Sequence, residues 1–412
     1  MPFDEPQLAA LRGELEPSAN SARDLALTAQ TPCLRRRALA IVGANPDSAA
    51  AVIGAESVHY GQSPFAIQIG ERFERALTRD EFERLIEGLR EQLGFPGDGI
   101  QVVDLDREIP FRFSGARKRG TEVDVARRRR ERTDSMLVAI LSGRDDAPAI
   151  VRHPRLTLAV TDSVRDVEPD LLVAWPGRGL PRLGEIKSYV DLRHRTDLSD
   201  LAKTRQQLAV YFLALERAVE RLAVEGRLAD GAAALASLRA EWPGDAGTRR
   251  PTIRAVTVLR RPQSMRPVVG IEDVRRDVEL VQRGLTRTPA TLVEILQGLP
   301  KGTRTLDTTT TIRALPTSYE PAWCLGNCPM AGACRDEAHR RNDPAFFGKM
   351  TRAVLAAAGD LDTAHALACG TRSPGEDPAL RAFAERMRAL RLRIDAARVA
   401  AGLPGAAGPV VS

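Results

Sequence analysis

The chain has no apolar run approaching the roughly 18 residues that a membrane-spanning helix needs, which argues against an integral membrane protein. Its first residues, MPFDEPQLAALRGELEP, carry acids and prolines where a secretory signal needs a basic start and an unbroken apolar stretch. A soluble cytoplasmic protein is the expectation. The phosphate-cradling pattern GxxxxGK[ST] does not occur, and GLPKGTRT from Gly298 lacks its spacing, so the chain is not itself a helicase motor. No internal repeat is found. Cysteine is scarce, five in 412 residues, and a reducing compartment disfavours disulfides among them.

What is present suffices for a real core: 43% of the residues are hydrophobic. Lys and Arg number 60 against 54 acids, giving a formal charge of +6 and a pI near 9.3. That balance suits a polyanionic partner such as DNA, since the arginine fork donates two hydrogen bonds to one phosphate. Compositional bias toward Ala, Arg, Gly and Leu explains it equally well. The densest cation run, from Gly115 to Asp134 with Arg127, Arg128, Arg129 and Arg130, reads either as a solvated helix face or as a contact to the DNA backbone.

Periodicity divides the chain into a polar N-terminal segment (1–30), a long α/β region (31–340), a helical extension (341–402) and a disordered tail (403–412). Within the α/β region, CLRRRALAIVG from Cys33 is helix-like, and residues 64–93 predict a helical pair. Strand-like runs follow at Ile100, Leu156, Asp170 and Leu183; then comes a helix from Ser199 to about Ala223, strands at Ile253 and Met265, and helices over 272–298. Strands interleaved with helices predict a mixed sheet flanked by helices.

The strongest chemical signal is EPDLLVAWPGRGLPRLGEIKS, from Glu168 to Ser188. Two strand-like pieces flank a Pro/Gly-rich turn, which predicts a hairpin. A turn centred on Arg178 and Gly179 places Asp170 across from Lys187, and Leu172 across from Glu185. Glu185 and Lys187 are two apart and share a face. Two carboxylates hold Mg²⁺ or Mn²⁺, which polarises a phosphate and acidifies a bound water, while an ammonium offsets the developing charge. An ordinary surface hairpin with a Glu–Lys pair is the bland alternative. On the following helix Lys203, Gln207 and Tyr211 recur every four residues as a polar stripe opposite an apolar face. Upstream, Gly70 and Glu74 sit one turn apart; Gly70 allows close approach to the sheet and Glu74 offers a third carboxylate.

Cys324, Cys328 and Cys334 cluster late, with Cys33 nearly three hundred residues earlier. Such clustering points to a metal or cluster site. Zinc is one occupant, with His339 as a substitute ligand. Cys369 has no partner pattern and reads as a small buried hydrophobe.

The order GERFE, EPD, GEIKS, QLAVY resembles the RecB-type nucleases of the PD-(D/E)XK superfamily. The resemblance implies a restriction-endonuclease-like core and a metal-dependent deoxyribonuclease. It implies metal ligation by Asp170 and Glu185, catalysis by Lys187, and a flanking role for Gln207 and Tyr211. Glu74 stands where many members have a histidine. One early and three late cysteines resemble the iron-staple members of CRISPR-adaptation and AddAB type, which implies a [4Fe-4S] cluster on Cys33, Cys324, Cys328 and Cys334. Three residues separate Cys324 from Cys328 where those families commonly have two. Single-stranded or free-ended DNA, and a separate helicase or a defence or adaptation protein, are the implied partners, in DNA repair or anti-phage defence. The rival expectation is a zinc-containing nucleic-acid-binding module, or a structural subunit without hydrolytic activity.

Overall fold

The computed structural model describes residues 3–18, 22–31, 33–55, 64–96, 99–110, 119–160, 163–190, 198–241 and 253–400. The expected disordered tail lies outside them. No described helix is long and apolar enough to cross a membrane. Contacts divide the chain into two compact units, one of residues 1–31, 37–45 and 62–298, the other of 32–36, 46–61 and 299–412. The division falls at Gly298/Leu299, upstream of the boundary anticipated at 340.

The first unit is α/β. Its strands are β1 Val102–Asp104, β2 Ile150–Arg152, β3 Leu156–Val160, β4 Ser163–Val167, β5 Leu171–Trp175, β6 Leu180–Val190, β7 Arg254–Arg260 and β8 Pro267–Asp273. Six form one mixed sheet in the order β1-β2-β5-β6-β7-β8, and β3 pairs with β4 separately. The β6–β7 pairing is parallel, and such a pair needs a crossover; the Leu198–Val224 helix supplies it.

Strand β5 explains why the sheet is covered on both faces. Leu172 and Ala174 enter one core with the Leu198–Val224, Ala22–Gln30 and Arg275–Thr286 helices. Leu171 and Val173 enter another with the Pro64–Thr78 and Glu83–Leu93 helices. A continuous apolar run is what a strand buried on both faces requires.

Three expectations change. The β5–β6 hairpin pairs Leu172 with Leu183 and Trp175 with Leu180, so the turn centres on Gly177 and Arg178. Moving the centre by one residue moves the pairing by two, which preserves every side chain's face. Gly177 and Gly179 hold φ of 67° and 61°, left-handed values that fix this tighter centre. The Leu198–Val224 helix is not amphipathic in its middle, for all residues from Leu208 to Leu215 are buried. Helices on one side and strands on the other enclose it. Nor are residues 1–30 merely polar: in the Ala22–Gln30 helix Ala22, Leu25, Ala26, Thr28 and Ala29 are buried.

The second unit is helical, and among the described residues its one β feature is an isolated bridge between Tyr319 and Phe347. It contains the Pro321–Asn327, Ala331–Arg341, Leu361–Cys369 and Pro378–Ala400 helices.

Candidate active site and thiol centre

Asp170 lies one residue before β5, and extending the observed register puts it opposite Glu185 on β6 and opposite His153 at the end of β2. Directly opposed residues share a face. Three strands thus bring His153, Asp170 and Glu185 into a row. Asp170 Oδ2 accepts the Ile186 backbone N–H at 2.7 Å, tying the carboxylate to the strand that bears Glu185 and Lys187. The Lys187 ammonium donates to Glu185 Oε1 at 2.5 Å. Pairing with β7 then breaks register between Lys187 and Val190, a bulge of the kind that re-aims side chains beside functional sites.

Glu185 is 1% exposed, and among the described atoms its Oε2 is buried without a hydrogen-bond partner. Burial, reinforced by the charge of Asp170, pushes its carboxyl up to about 8 despite Lys187. Burial also raises Asp170, against Lys187 and the Ile186 N–H. Burial by itself lowers Lys187; the charges of Glu185 and Asp170 reverse that and raise it. One buried and one half-buried carboxyl beside one ammonium leave room for another positive charge.

Gln207 and Tyr211 do come together: the Gln207 amide donates to the Tyr211 hydroxyl at 2.9 Å. Burial, then the charges of Glu185 and Asp170, raise the Tyr211 phenol well above its usual range. Lys203 instead pairs with Asp200 at 3.3 Å. Glu74 faces this region but is already satisfied. Its carboxylate bonds Arg152 and lies 3.3 Å from His153 Nε2; His153, with Arg152 and against burial, holds it at about 2. A Cβ on Gly70 would meet Ser188 Oγ at 3.6 Å, ordinary contact, so close approach does not require the glycine.

Residues outside the sequence reading complete the surroundings. His153 has φ 54°, donates its backbone N–H to Asp170 O at 3.1 Å, and places Nδ1 3.0 Å from Glu168. Burial lowers its basicity, but hydrogen bonds to Glu168 and Glu74 prevail and push it up to about 10. Asp106, His153 and Glu168 form the one group of three metal-type donors within 4.8 Å of one another among the described residues. These acids are already paired, Asp106 with Arg129 at 2.7 Å and Glu168 with Arg155 at 3.0 Å. An ion-pair network accounts for them. The dipeptide Arg152–His153 before Pro154 was the available signal, masked because β2 is three residues long.

The arginine run is largely consumed by internal pairs. Arg127 bonds Asp124 and Glu131, Arg129 is buried against Asp106, and Arg130 bonds Asp166 at 2.8 Å.

In the second unit Cys33, Cys324, Cys328 and Cys334 are all buried and close enough to affect one another's ionisation. Burial pushes Cys328 up to about 11 and Cys334 to about 12, against the nearby arginines. Arg35, 1% exposed, donates to Cys334 Sγ at 3.3 Å and to Glu337 at 3.0 Å. His339 is exposed, about 140° round its helix from Cys334, and is not placed to replace a thiol. Cys369 is half-buried and 3.5 Å from His365 Nε2, not the fully buried hydrophobe expected.

No protein-family model, curated protein or solved structure matches this chain.

Proposed function

We propose that this chain is a deoxyribonuclease that hydrolyses phosphodiester bonds with Mg²⁺ or Mn²⁺ held by Asp170 and Glu185. The observation carrying this reading is the unpartnered, buried Oε2 of Glu185 opposite the half-buried carboxyl of Asp170. A carboxylate in that setting is costly unless a cation reaches it. The donor set is all oxygen, which suits a hard cation. Such an ion supplies Lewis acidity toward the phosphate and acidifies a bound water. Lys187 orients that water or neutralises charge developing on the phosphate oxygens. The half-buried Gln207, bonded to the buried Tyr211, lies beside the carboxylates, and His153 fixes Asp170 from the neighbouring strand. A mixed sheet flanked by helices is the coarse fold that a restriction-endonuclease-like core requires.

The four buried thiols suit a [4Fe-4S] cluster, which takes four thiolates. Arg35 and Arg36, both buried, would offset the negative charge of four thiolates. Such a cluster would fix Cys33 to the late cysteines in the helical unit. Free-ended or single-stranded DNA is the substrate class, with a helicase or a defence protein as partner.

The test is cleavage of linear and circular DNA, single- and double-stranded, by the wild type and by Asp170→Ala, Glu185→Ala and Lys187→Ala with Mg²⁺ or Mn²⁺. Each variant is expected to lose cleavage while retaining DNA binding. Cleavage surviving all three changes overturns the assignment of the site. A colourless, zinc-loaded and inactive wild type would instead support a nucleic-acid-binding module.

A further inference from the structure

The Pro378–Ala400 helix carries Leu380, Phe383, Met387, Leu390, Ile394 and Ala397 at alternating steps of three and four residues. That is the 3.5-residue period of a helix-pairing seam. Its first half is covered: Leu380, Phe383 and Met387 pack with Ala364 and Leu367 of the Leu361–Cys369 helix. Its second half is not, for Leu390 is 46% and Ile394 50% exposed. The covering helix is about 13 Å long against about 34 Å for its partner, and it stops at Gly370 in a left-handed conformation, φ 75°. It cannot reach the remaining seam.

The flanks indicate what would cover it. Arg386 and Arg393 border one side of the seam; Arg391, on the other, is paired with Asp395 at 3.8 Å, and Glu385 projects away. Residues at flanking positions set the partner's charge. A second copy of this helix would place arginine against arginine. The segment AGLPGAAGPVVS (401–412) has no charged residue, so it offers no acids to these arginines.

We propose that the Leu390–Ala397 part of this face is a docking seam for an acidic amphipathic helix of a partner protein. The partner places apolar residues on the seam and Glu or Asp opposite Arg386 and Arg393. The inference is independent of the nuclease reading, and its test needs no cleavage.

The probe is a synthetic heptad helix with Leu and Ile on its seam and Glu at both flanks; its control carries Lys there. Binding to the full chain is read by fluorescence anisotropy, with circular dichroism confirming that each variant keeps its helix content. The Glu-flanked peptide is expected to bind and the Lys-flanked one not. Leu390→Ala with Ile394→Ala should weaken binding at least tenfold, whereas Leu392→Ala, on the opposite side and 70% exposed, should leave it unchanged. Arg386→Glu with Arg393→Glu should reverse the preference toward the Lys-flanked peptide. A preference unmoved by that reversal overturns the proposal, as does equal sensitivity to Leu392→Ala. A wild-type dimer in sedimentation, dissolved by the seam substitutions, would assign the face to a second copy and overturn it too. Seam-dependent binding to phosphatidylserine vesicles with no peptide binding would do the same.

Discussion

Glu185 makes the metal-free protein sensitive to alkali in a way that can be worked out in advance. Burial, and then Asp170, raise its carboxyl from 4.5 to about 8. A raised folded value means that the native state holds the proton more tightly than the unfolded chain. Its stabilising contribution is therefore fully present below about pH 4.5 and is lost as pH climbs through about 8. The upper bound is on the order of 5 kcal/mol. The Lys187 ammonium 2.5 Å away tolerates part of the ionised form, so a loss of a few kcal/mol is expected. For a unit of this size that is roughly 5–10 °C in Tm. The assay is thermal melting in EDTA from pH 5 to pH 9, comparing wild type with Glu185→Gln, which cannot ionise. The wild type should lose those degrees relative to the variant, and saturating Mg²⁺ should restore them, with proton release seen by calorimetry in buffers of different ionisation enthalpy. Parallel profiles for wild type and Glu185→Gln would refute the reasoning, because ionising the carboxyl would then cost nothing in place.

Gly284→Ala should destabilise the first unit by about 3 kcal/mol or more, since its Cβ would meet the Ala29 carbonyl oxygen at only 2.2 Å; a denaturant midpoint equal to wild type would refute the tight packing of those two helices. Cys33→Ser should lower bound iron or zinc and Tm together, with Cys369→Ser as the control that changes neither; metal analysis and melting check both. Arg35→Ala should cost about 3–5 kcal/mol, because it leaves Glu337 with the more exposed Arg341 as its remaining ion partner, and chemical denaturation measures it. Tyr211→Phe should cost about 1 kcal/mol by removing the hydroxyl that accepts from Gln207. It should slow cleavage without altering Mg²⁺ affinity, which titration calorimetry reads separately.

What the sequence determined by itself was local. The two-residue period placed Glu185 and Lys187 on one face, the Pro/Gly turn joined them to Asp170, and one four-residue step made Gln207 and Tyr211 neighbours; each relation is set within a few residues of chain. The four cysteines were legible by type and grouping, and all four are buried in one unit. Tertiary structure decided the rest. Whether the turn centred one residue earlier depended on two glycines at positive φ, a choice that periodicity cannot register because a two-residue slip keeps every face. That Glu74 is bound by Arg152, 78 residues away, and Cys334 by Arg35, 299 residues away, is written in no local pattern. Nor is the burial of Leu208–Leu215 on all sides. Side chains so far apart in sequence meet only after the sheet and its helices pack, and it is that packing, by excluding water, that gives Glu185 its unusual acidity and the thiols theirs.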